Sequence, residues 1–456
     1  MRDRLFEALR RSRAGYTELR LRRVWSTSVL VRDRTVESAS TATEIGGVAR
    51  CCSPGTGWGL AGFSGTERLE TQTLQAHELS LAVPSRQPVE LAPIAVREHD
   101  ASPAVAEDPR EVPLAEKRQH AESLAALLAA SDRRITSTRV LCRDEVVETW
   151  LATSEGSWVH ELRSEVSTAL LVLAEEDGNV ERAMGSSRLR GGWRDGTAGA
   201  TTLVERVTGR AIERLHAIPV RSGRYAVVFD RAAAGALMHR AVTHLARPSL
   251  PGADPDVLPL GMRIGPECLT VGDDPTAPGL SATSVSDDEG TGGRRTVVVQ
   301  NGVVVGHLHS RETAAAEKQA PTGHARAGSL RGAPYPRASN SFLAPRQGSL
   351  DDLLQGIRLG VYVIDALACE SLGDQLALRA GSARMIRNGR LAEPVKGVQI
   401  SGGLLPLLGR VEAVAEDFAW DMEGSRCRDG AAGIVPVTTG APHVRLVDVA
   451  IGEGIS

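Results

Sequence analysis

Two histidines in the segment RAAAGALMHRAVTHLARP are of a residue type that binds metal ions. His239 and His244 are five residues apart on a predicted helix, and neutral imidazoles are common ligands of zinc and related ions. Five steps of about 100° place the two rings about 140° apart on an ideal α-helix. Joint chelation therefore requires a bulge or a loosened last turn, which the nearby Pro248 favours. On spacing alone, two structural histidines are the simpler interpretation.

Two further groups could take part in such chemistry. Cys427 lies in SRCRDGAAGIVPV, among glycine and charged residues rather than in an apolar strand. A lone cysteine carries little information, so a ligand role and a structural role both stay open. The run SDDEG holds three carboxylates, those of Asp287, Asp288 and Glu289. Such a run usually forms a solvated turn, but carboxylates on loops also act as catalytic bases.

The elements around these residues predict an α+β protein in two parts. Residues 1–217 are predicted to form an N-terminal α/β domain with an antiparallel sheet. Residues 218–456 are predicted to form a C-terminal, mostly-β domain that carries the helix with the two histidines. Helices are predicted at 2–13, 67–81, 114–130, 202–216, 231–246 and near 350–360. Strands are predicted at 16–22 and 28–32 and, in a four-stranded meander, at 135–142, 146–153, 157–163 and 167–174.

Connections between these elements have their own sequence patterns. The pairs Asn301-Gly302 and Asn388-Gly389 lie between apolar runs, and both residue types tolerate the positive φ angles of tight hairpins. The stretch 84–113 is rich in proline, alanine and acidic residues, which is typical of a surface connection. We therefore predict two hairpins in the second part and one long surface connection in the first.

Charge and composition exclude several functional classes. The chain has 53 Lys and Arg against 56 Asp and Glu, a net charge of −3, so it has no basic field for broad nucleic-acid binding. The charged N-terminus does not resemble a signal peptide, and every apolar run is too short to span a bilayer. Six scattered cysteines without a CxxC spacing indicate reduced thiols. We expect a soluble cytoplasmic protein with neither a nucleic-acid nor a membrane partner.

Several short blocks occur in an order that resembles the TldD/TldE (PmbA) family, whose members were once labelled modulators of DNA gyrase. Each block alone is weak, but their order is specific and covers nearly the whole chain. The blocks are GGVAR, YAVVFDRAAAGALMHRAVTH, DDP, DDEG, QNGVVVGHLHSRETA, TGHAR, PRASN and the CRDG…VPV…GAP segment.

The resemblance implies a metallopeptidase that trims small peptides inside the closed cavity of a dimer. The family's zinc is held by two motif histidines and a C-terminal cysteine, which correspond here to His239, His244 and Cys427. Three protein ligands leave one position open, as in catalytic zinc sites. The resemblance therefore implies one Zn²⁺ per active site, although these ligand types do not exclude iron or cobalt. It also implies a homodimer, or a heterodimer with a TldD/TldE-like protein.

One position departs from the family pattern. Where the family has Glu directly after the first motif histidine, this chain has Arg240. The family's Glu takes a proton from the attacking water and passes it to the leaving amine, which a permanent cation cannot do. Another carboxylate supplies the base, or Arg240 grips a substrate carboxylate, or the site binds metal without turnover. The candidate carboxylates are Glu289, Asp288 and Asp287.

Two functional hypotheses follow from the resemblance. The first is a TldD-like hydrolase of a peptide or small amide bond, acting in a specialised natural-product pathway such as antibiotic biosynthesis. The second is a non-catalytic TldE-like subunit that completes the cavity of a TldD-type partner. The three retained ligands favour the first hypothesis, and Arg240 favours the second. A gyrase-binding regulator would follow only the old family label, and the charge balance does not support it.

Other polar residues are candidates for contact with the substrate. His324 in TGHAR, Arg326 beside it and Arg337 in PRASN lie in glycine-rich or polar loops, where binding residues are common. His307 and His309 alternate on a predicted strand and therefore face one side of it. We interpret these two as surface or cavity-lining residues without a metal role.

Overall fold

Residues 1–83, 89–101, 105–248, 258–428 and 433–452 are described by a computed structural model of the chain. Parts of the predicted connection, 84–88 and 102–104, lie outside the described residues, as do 429–432 after Cys427. Among the described residues, no helix is both long and apolar enough to cross a membrane.

The first half is built on one long twisted sheet with helices packed against it. Its strands are β1 (Tyr16–Arg32), β2 (Thr35–Cys52), β3 (Gly59–Ser64), β4 (Glu98–Ala101), β5 (Ile135–Thr153), β6 (Trp158–Glu176) and β7 (Asn179–Arg190). Its helices are α1 (Arg2–Leu9), α2 (Leu69–Ala82), α3 (Leu114–Ser131), α4 (Trp193–Thr197) and α5 (Ala200–Leu215). The strand order is β3-β2-β1-β5-β6-β4, and β7 also pairs with β6. Apolar side chains of α3 and α5 pack on β1, β5 and β6, and those of α1 and α2 pack near β3.

Strand lengths in this half differ from the sequence prediction. The two strands predicted within 16–32 are one strand, β1, and the predicted four-stranded meander is the pair β5 and β6. Polar residues interrupt the apolar alternation without ending the strands, because residues 18–32 of β1 pair continuously with residues 139–153 of β5. Part of the predicted surface connection is also a strand, since β4 pairs in parallel with β6.

The second half is mostly β. Its strands are β8 (Ile218–Pro219), β9 (Gly223–Phe229), β10 (Val271–Asp273), β11 (Thr296–Gln300), β12 (Val303–Val304), β13 (Ala325–Arg326), β14 (Tyr335–Pro336), β15 (Asn340–Leu343), β16 (Leu359–Leu372), β17 (Gln375–Arg387), β18 (Arg390–Lys396), β19 (Gln399–Gly403), β20 (Val411–Val414), β21 (Ala419–Trp420), β22 (Ser425–Arg428), β23 (Ile434–Ala441) and β24 (Val444–Ile451). Its helices are α6 (Arg231–Met238), followed by a π-helical turn (His239–Thr243), α7 (Arg311–Ala316), α8 (Leu350–Leu354) and α9 (Leu404–Leu408).

Two larger sheets organise these strands. One sheet closes on itself as a small barrel, β16-β9-β24-β19-β17, because β17 also pairs with β16. The other has the order β12-β11-β10-β15-β23-β21, and β22 pairs with β23. Helix α6 contributes to the apolar core that both sheets share. The two-histidine helix is thereby held between the barrel and the second sheet.

The expected α+β class is confirmed, and so are both Asn-Gly hairpins. Asn301 and Gly302 have φ angles of 49° and 77°, and Asn388 and Gly389 have φ angles of 48° and 76°. The helix predicted near 350–360 ends earlier than expected, at Leu354, since Gly356 has a φ of 77° and β16 follows. The domain boundary between residues 217 and 218 stays a prediction.

Candidate metal centre

The two histidines converge because the helix that carries them widens. The Asp230 side chain caps α6 by accepting a hydrogen bond from the Ala233 backbone N–H at 2.8 Å. After Met238 the helix continues as a single π-helical turn, closed by a hydrogen bond from His244 N to His239 O of 3.2 Å. A π turn joins residues five apart, so their side chains lie on one face. This widening supplies the bulge that the spacing of the histidines requires.

The imidazole rings meet edge to face. Their centroids are 4.8 Å apart with an interplanar angle of 87°, and the two Nε2 atoms are 3.3 Å apart. Cys427 Sγ lies 3.1 Å from His244 Nε2. One potential ligand atom from each of the three residues lies within 4.8 Å of the others.

Cys427 reaches this point from a distant part of the chain. It lies on β22, directly opposite Val435 on β23, and both side chains are buried in one small apolar cluster. The Arg337 side chain donates to the Cys427 carbonyl oxygen at 2.8 Å. Pairing with β23 and this hydrogen bond together fix the position of the thiol.

A chain of hydrogen bonds orients the first ring. His239 Nδ1 is 3.0 Å from Ser341 Oγ, and the Ser341 hydroxyl donates to Asp273 Oδ2 at 2.8 Å. The Asp273 carboxylate also contacts His324 Nε2 at 3.1 Å. Burial alone would raise the pKa of Asp273, but the hydrogen bonds from His324, Ser339 and Ser341 hold it below its ordinary value. Because the Ser341 proton goes to Asp273, Nδ1 of His239 carries a proton and Nε2 presents its lone pair toward the cluster.

Burial keeps both imidazoles neutral. It lowers the pKa of His239 to about 3, and the nearby Arg240 guanidinium acts in the same direction. Burial also lowers the pKa of His244, and the neighbouring His239 adds to this effect. Neutral imidazole is the form that binds a metal ion.

Two guanidinium groups contact the second ring. Arg247 Nη2 is 3.0 Å from His244 Nδ1, and Arg240 Nη1 is 3.4 Å from His244 Nε2. A guanidinium donates hydrogen bonds and does not accept them. A neutral imidazole has one lone pair, so only one of the two contacts can be a hydrogen bond. The shorter one assigns the lone pair to Nδ1, which accepts from Arg247, and the ring proton to Nε2, which faces Nε2 of His239. A cation can bind at Nε2 only after Arg247 has turned away from Nδ1 and the ring proton has shifted to that atom.

The SDDEG carboxylates are not in a solvated turn, contrary to expectation. Asp287 accepts hydrogen bonds from the backbone N–H groups of Glu289, Thr291 and Ala325. Burial and the Glu289 charge raise the pKa of Asp287. The three backbone N–H groups replace water around the Asp287 carboxylate, and this explains how the carboxylate can be buried.

The other two carboxylates of this run pair with arginines of the first half. Asp288 contacts Arg22 and Arg20, whose charges outweigh burial and lower its pKa. Glu289 accepts from Arg50 at 2.7 Å and from the Arg311 backbone N–H at 2.8 Å. The hydrogen bonds and ion pairs described for these carboxylates do not reach the histidines or the cysteine. A role as catalytic base therefore stays a prediction for all three.

The three predicted substrate-binding residues have different surroundings. His324 and Arg337 are fully buried and support Asp273 and Cys427 as described above, and a role of either one in substrate binding stays a prediction. Arg326 does line a cavity, of about 80 Å³, while its guanidinium also donates to the carbonyl oxygens of Ala338 and Pro436.

That cavity lies between the two halves, and neither Cys427 nor the two histidines are among its lining residues. Arg20, Arg22 and Arg163 line it from the first sheet, and Asp287 and Asp288 line it from the second half. Val435, which lies opposite Cys427, is part of the same wall. The cavity wall therefore includes the residue that is paired with Cys427 across the two strands. Four arginines and three carboxylates line the cavity.

Sequence reasoning missed three residues whose hydrogen bonds determine which nitrogen of each histidine carries a proton. Asp273 and Ser341 belong to, or directly follow, the quoted blocks DDP and PRASN, but they have no role in the sequence prediction. Arg247, in HLARP, contacts His244 three residues back. The only signal for Asp273 and Ser341 was their place inside or beside ordered blocks. The i,i+3 spacing of Arg247 and His244 on a helix was a second, weaker signal.

Two family models and a curated relative match this chain. A family model described as the PmbA/TldA metallopeptidase C-terminal domain matches residues 222–453. A model of the PmbA/TldA metallopeptidase central domain matches residues 107–215. A metalloprotease of Synechocystis sp. is 32% identical over 445 residues, which cover 97% of this chain and 95% of that relative.

Two solved structures have the same fold over almost their whole length. A putative modulator of a DNA gyrase from Thermotoga maritima superposes with a TM-score of 0.77 at 20% identity, over 99% of both chains. TldE from Thermococcus kodakarensis superposes with a TM-score of 0.76 at 19% identity, again over 99% of both chains. At such identities the similarity shows the fold alone.

Proposed function

This chain belongs to the PmbA/TldD family of metallopeptidases, and on that premise we propose that it hydrolyses a peptide or small amide bond at a zinc site formed by His239, His244 and Cys427. The observation that carries the proposal is the convergence of one ligand atom from each residue within 4.8 Å. The substrate class proposed is a short peptide or small amide that enters along the cavity between the two halves. A dedicated natural-product substrate belongs to the same proposal.

The donor set fits zinc. Neighbouring ligand atoms in a tetrahedral zinc site are roughly 3.3–3.6 Å apart, given bond lengths of about 2.0–2.3 Å. The distances of 3.3 Å between the two Nε2 atoms and 3.1 Å between His244 Nε2 and Cys427 Sγ are close to this range. When bound, zinc supplies a Lewis acid that polarises the scissile carbonyl and activates the attacking water.

Residues of this chain hold the ligands in place. Ser341 and Asp273 fix the protonated Nδ1 of His239, which directs its Nε2 toward the site. Arg337 anchors the backbone of Cys427. Each ligand is thereby oriented by a buried partner, except His244, whose contact with Arg247 must change first.

Arg240 is suited to bind an anion and unsuited to move a proton. Its guanidinium is 3.4 Å from His244 Nε2, which places a fixed positive charge beside the proposed zinc position. A guanidinium can grip a carboxylate through two parallel hydrogen bonds. We propose that Arg240 binds the substrate's terminal carboxylate, or the negative charge that develops on the scissile carbonyl oxygen.

We propose that the base is one of the three candidate carboxylates, Glu289, Asp288 or Asp287. Both oxygens of Glu289 are engaged, by Arg50 and by the Arg311 N–H, and Asp288 is held as an anion by Arg20 and Arg22. Either group can accept a proton only after exchanging one of these partners. If one of them is the base, removal of its charge abolishes turnover and leaves zinc bound.

A second candidate function is that of a non-catalytic, TldE-like subunit of a heterodimer. The observation that favours it is the pair of guanidiniums at His244, because two positive charges beside the ligand cluster weaken cation binding. In this role the chain would complete the cavity of a TldD-type partner. A homodimer of two active chains is the corresponding assembly for the first function.

The experiment combines metal analysis with peptide hydrolysis. The purified chain is assayed for zinc content and for cleavage of short peptides and small amides, alone and mixed with a TldD-type subunit. Cys427→Ser removes the proposed thiolate ligand. Cys268→Ser is the matched control, because Cys268 is a free thiol outside the cluster. The hydrolase proposal requires that the parent and Cys268→Ser cleave substrate and that Cys427→Ser does not.

The same assay separates the two functions. Cleavage only in the mixture with a TldD-type subunit, unaffected by Cys427→Ser, would establish the subunit function and contradict the hydrolase proposal. If Arg240→Glu creates cleavage where the parent has none, the parent is not a hydrolase under those conditions. Cleavage that is lost in Glu289→Gln or Asp288→Asn while zinc is retained would identify the base.

A further inference from the structure

A second cluster of potential metal ligands lies away from the first. His307 and His309 follow β12, and Glu317 lies directly after α7. One ligand atom from each residue lies within 4.8 Å of the other two. Both histidines are buried, at 5% and 2% exposed, so of the two predicted settings, surface or cavity wall, the structure shows the cavity wall. The predicted strand ends at Val304, before either histidine.

The outer hydrogen bond of His307 fixes which nitrogen faces the cluster. Its Nε2 is 2.8 Å from the Leu258 carbonyl oxygen. A carbonyl oxygen only accepts, so Nε2 carries a proton. In the neutral ring, Nδ1 then has a lone pair, and this atom faces Glu317 Oε2 at 2.9 Å.

His309 is prepared in the same way from the other side. Its Nδ1 is 3.3 Å from Thr313 Oγ1, and that hydroxyl has two other partners for its own hydrogen, Ser310 Oγ at 3.2 Å and the Ser310 carbonyl oxygen at 3.5 Å. Thr313 can therefore accept the Nδ1 proton of His309. Its Nε2 is left with a lone pair, 3.7 Å from the same Glu317 oxygen.

Three electron-pair donors thus face one another, and one of them is an anion. We propose that His307, His309 and Glu317 bind a divalent cation of the zinc class, at a site separate from the His239, His244 and Cys427 cluster. Two histidines and one carboxylate are a common zinc ligand set, and their outer nitrogens have the fixed partners that such sites use. The alternative arrangement is a doubly protonated His307 paired with Glu317, without a metal.

The site can be reached from solvent and leaves room for another ligand. A cavity of about 270 Å³ has both histidines in its wall, together with Thr322 and Gln319. Arg294 lies in the same wall, so the cavity suits water or a small anion as the remaining ligand.

A cation here would tie the loop after β12 to the end of α7. That helix begins with Arg311, whose side chain donates to the Ala92 carbonyl and pairs with Glu155 in the first half. Its backbone N–H also holds Glu289. The proposed ion therefore stabilises a helix that contacts the first half through Arg311.

Zinc stoichiometry tests the proposal. The chain is stripped with a chelator, reloaded with zinc, dialysed, and analysed for zinc atoms per chain. We expect two atoms in the parent, one in Glu317→Gln and one in Cys427→Ser. The double variant should bind none. Glu312→Gln is the matched control, because this carboxylate is on the same helix but pairs with Trp58, and it should retain two.

Cobalt reports on the second site even if the first binds no metal. Bound Co²⁺ in Cys427→Ser should give d–d absorption without a thiolate charge-transfer band, and adding Glu317→Gln or His309→Gln should remove it. Equal cobalt binding by Cys427→Ser and by both double variants would overturn the proposal, as would a parent whose zinc is lost completely in Cys427→Ser. The His309 variant covers the case in which the Glu317 variant does not fold. Failure of the proposed hydrolase alters only the signals that depend on Cys427.

Discussion

The two ligand clusters differ in how their outer hydrogen bonds prepare the histidines. At His307 the outer partner is a carbonyl oxygen, which fixes a proton on the outer nitrogen and leaves the inner one free to bind. At His244 the outer partner is Arg247, which donates a hydrogen bond and so leaves the ring proton on the inner nitrogen. The cluster at residue 307 also contains a carboxylate, whereas two guanidiniums lie beside His244.

The comparison shows that the chemical type of a ligand and its protonation state in the metal-free chain are separate properties. His239, His244 and Cys427 are the stronger ligand set for zinc, because a thiolate is included. Their use nevertheless requires that Arg247 turn away and that the ring proton of His244 shift from Nε2 to Nδ1, and this rearrangement lowers zinc affinity there. The cluster of His307, His309 and Glu317 needs no such rearrangement.

The largest expected effect tests the ligand set itself. Cys427→Ser should lower zinc affinity at the first cluster by more than the roughly 10–100-fold that loss of an outer partner costs. The reason is that the substitution removes a direct ligand. Competition titration with a zinc-binding dye measures the change, and Cys268→Ser should bind like the parent. An unchanged affinity would mean that the thiol is not a ligand.

A second variant tests whether the contact of Arg247 with His244 opposes zinc binding. Arg247→Met removes the donor at His244 Nδ1 and lets the ring keep its proton on that atom. Zinc affinity at the first cluster should rise by about 10–100-fold, the usual size of an outer-partner effect. Arg263→Met is the control, since Arg263 donates to backbone carbonyls away from the cluster. A lower affinity in Arg247→Met would contradict the tautomer assigned to His244.

A smaller effect is expected at the other ring. Ser341→Ala breaks the link between His239 and Asp273 and should weaken zinc binding by about 10-fold, at the low end of outer-partner effects. Ser339→Ala is the matched control, because it removes a hydroxyl that also donates to Asp273, whereas it is Ser341 whose hydroxyl contacts His239. Isothermal titration with zinc measures both. Equal losses in the two variants would show that Asp273, rather than its link to His239, controls affinity.

The smallest effect is on the stability of the metal-free chain. The pKa of His239 is lowered from 6.5 to about 3 by burial, so the unfolded chain binds a proton that the folded chain does not. The stability contributed by the neutral ring is complete above pH 6.5 and is lost as the pH falls below that value. Between pH 7 and pH 6 the loss should be about 0.7 kcal/mol. Urea unfolding of the parent and His239→Gln at both pH values measures it, and parallel pH dependence would refute the assignment.

Much of the fold could be predicted from sequence, because the apolar alternation and turn residues are local signals. The Asn-Gly hairpins and the helices at Leu114–Ser131 and Ala200–Leu215 agree closely with expectation. Strand lengths did not, since β1 and β5 carry polar residues in the middle of continuous pairing. A pattern of side chains does not report hydrogen bonds made by the backbone.

The site was predictable only in part, for a related reason. The three residues His239, His244 and Cys427 came from a family resemblance, whereas helix geometry alone argued against joining the first two. The π-helical turn that brings them together leaves no mark in residue types. The roles of Asp273, Ser341 and Arg247 depend on which atom carries a proton, and such information arises only from three-dimensional contacts.

The π-helical turn also shows that an additional residue between the two histidines can be compensated by a wider helical turn. A π turn accommodates one residue more than an α turn. Deleting Ala241, one of the four residues between the histidines, would leave them four apart, and an ordinary α-helix would then align the same two rings. Related chains with either spacing can therefore present the same pair of nitrogens, and an insertion or deletion here need not remove the site.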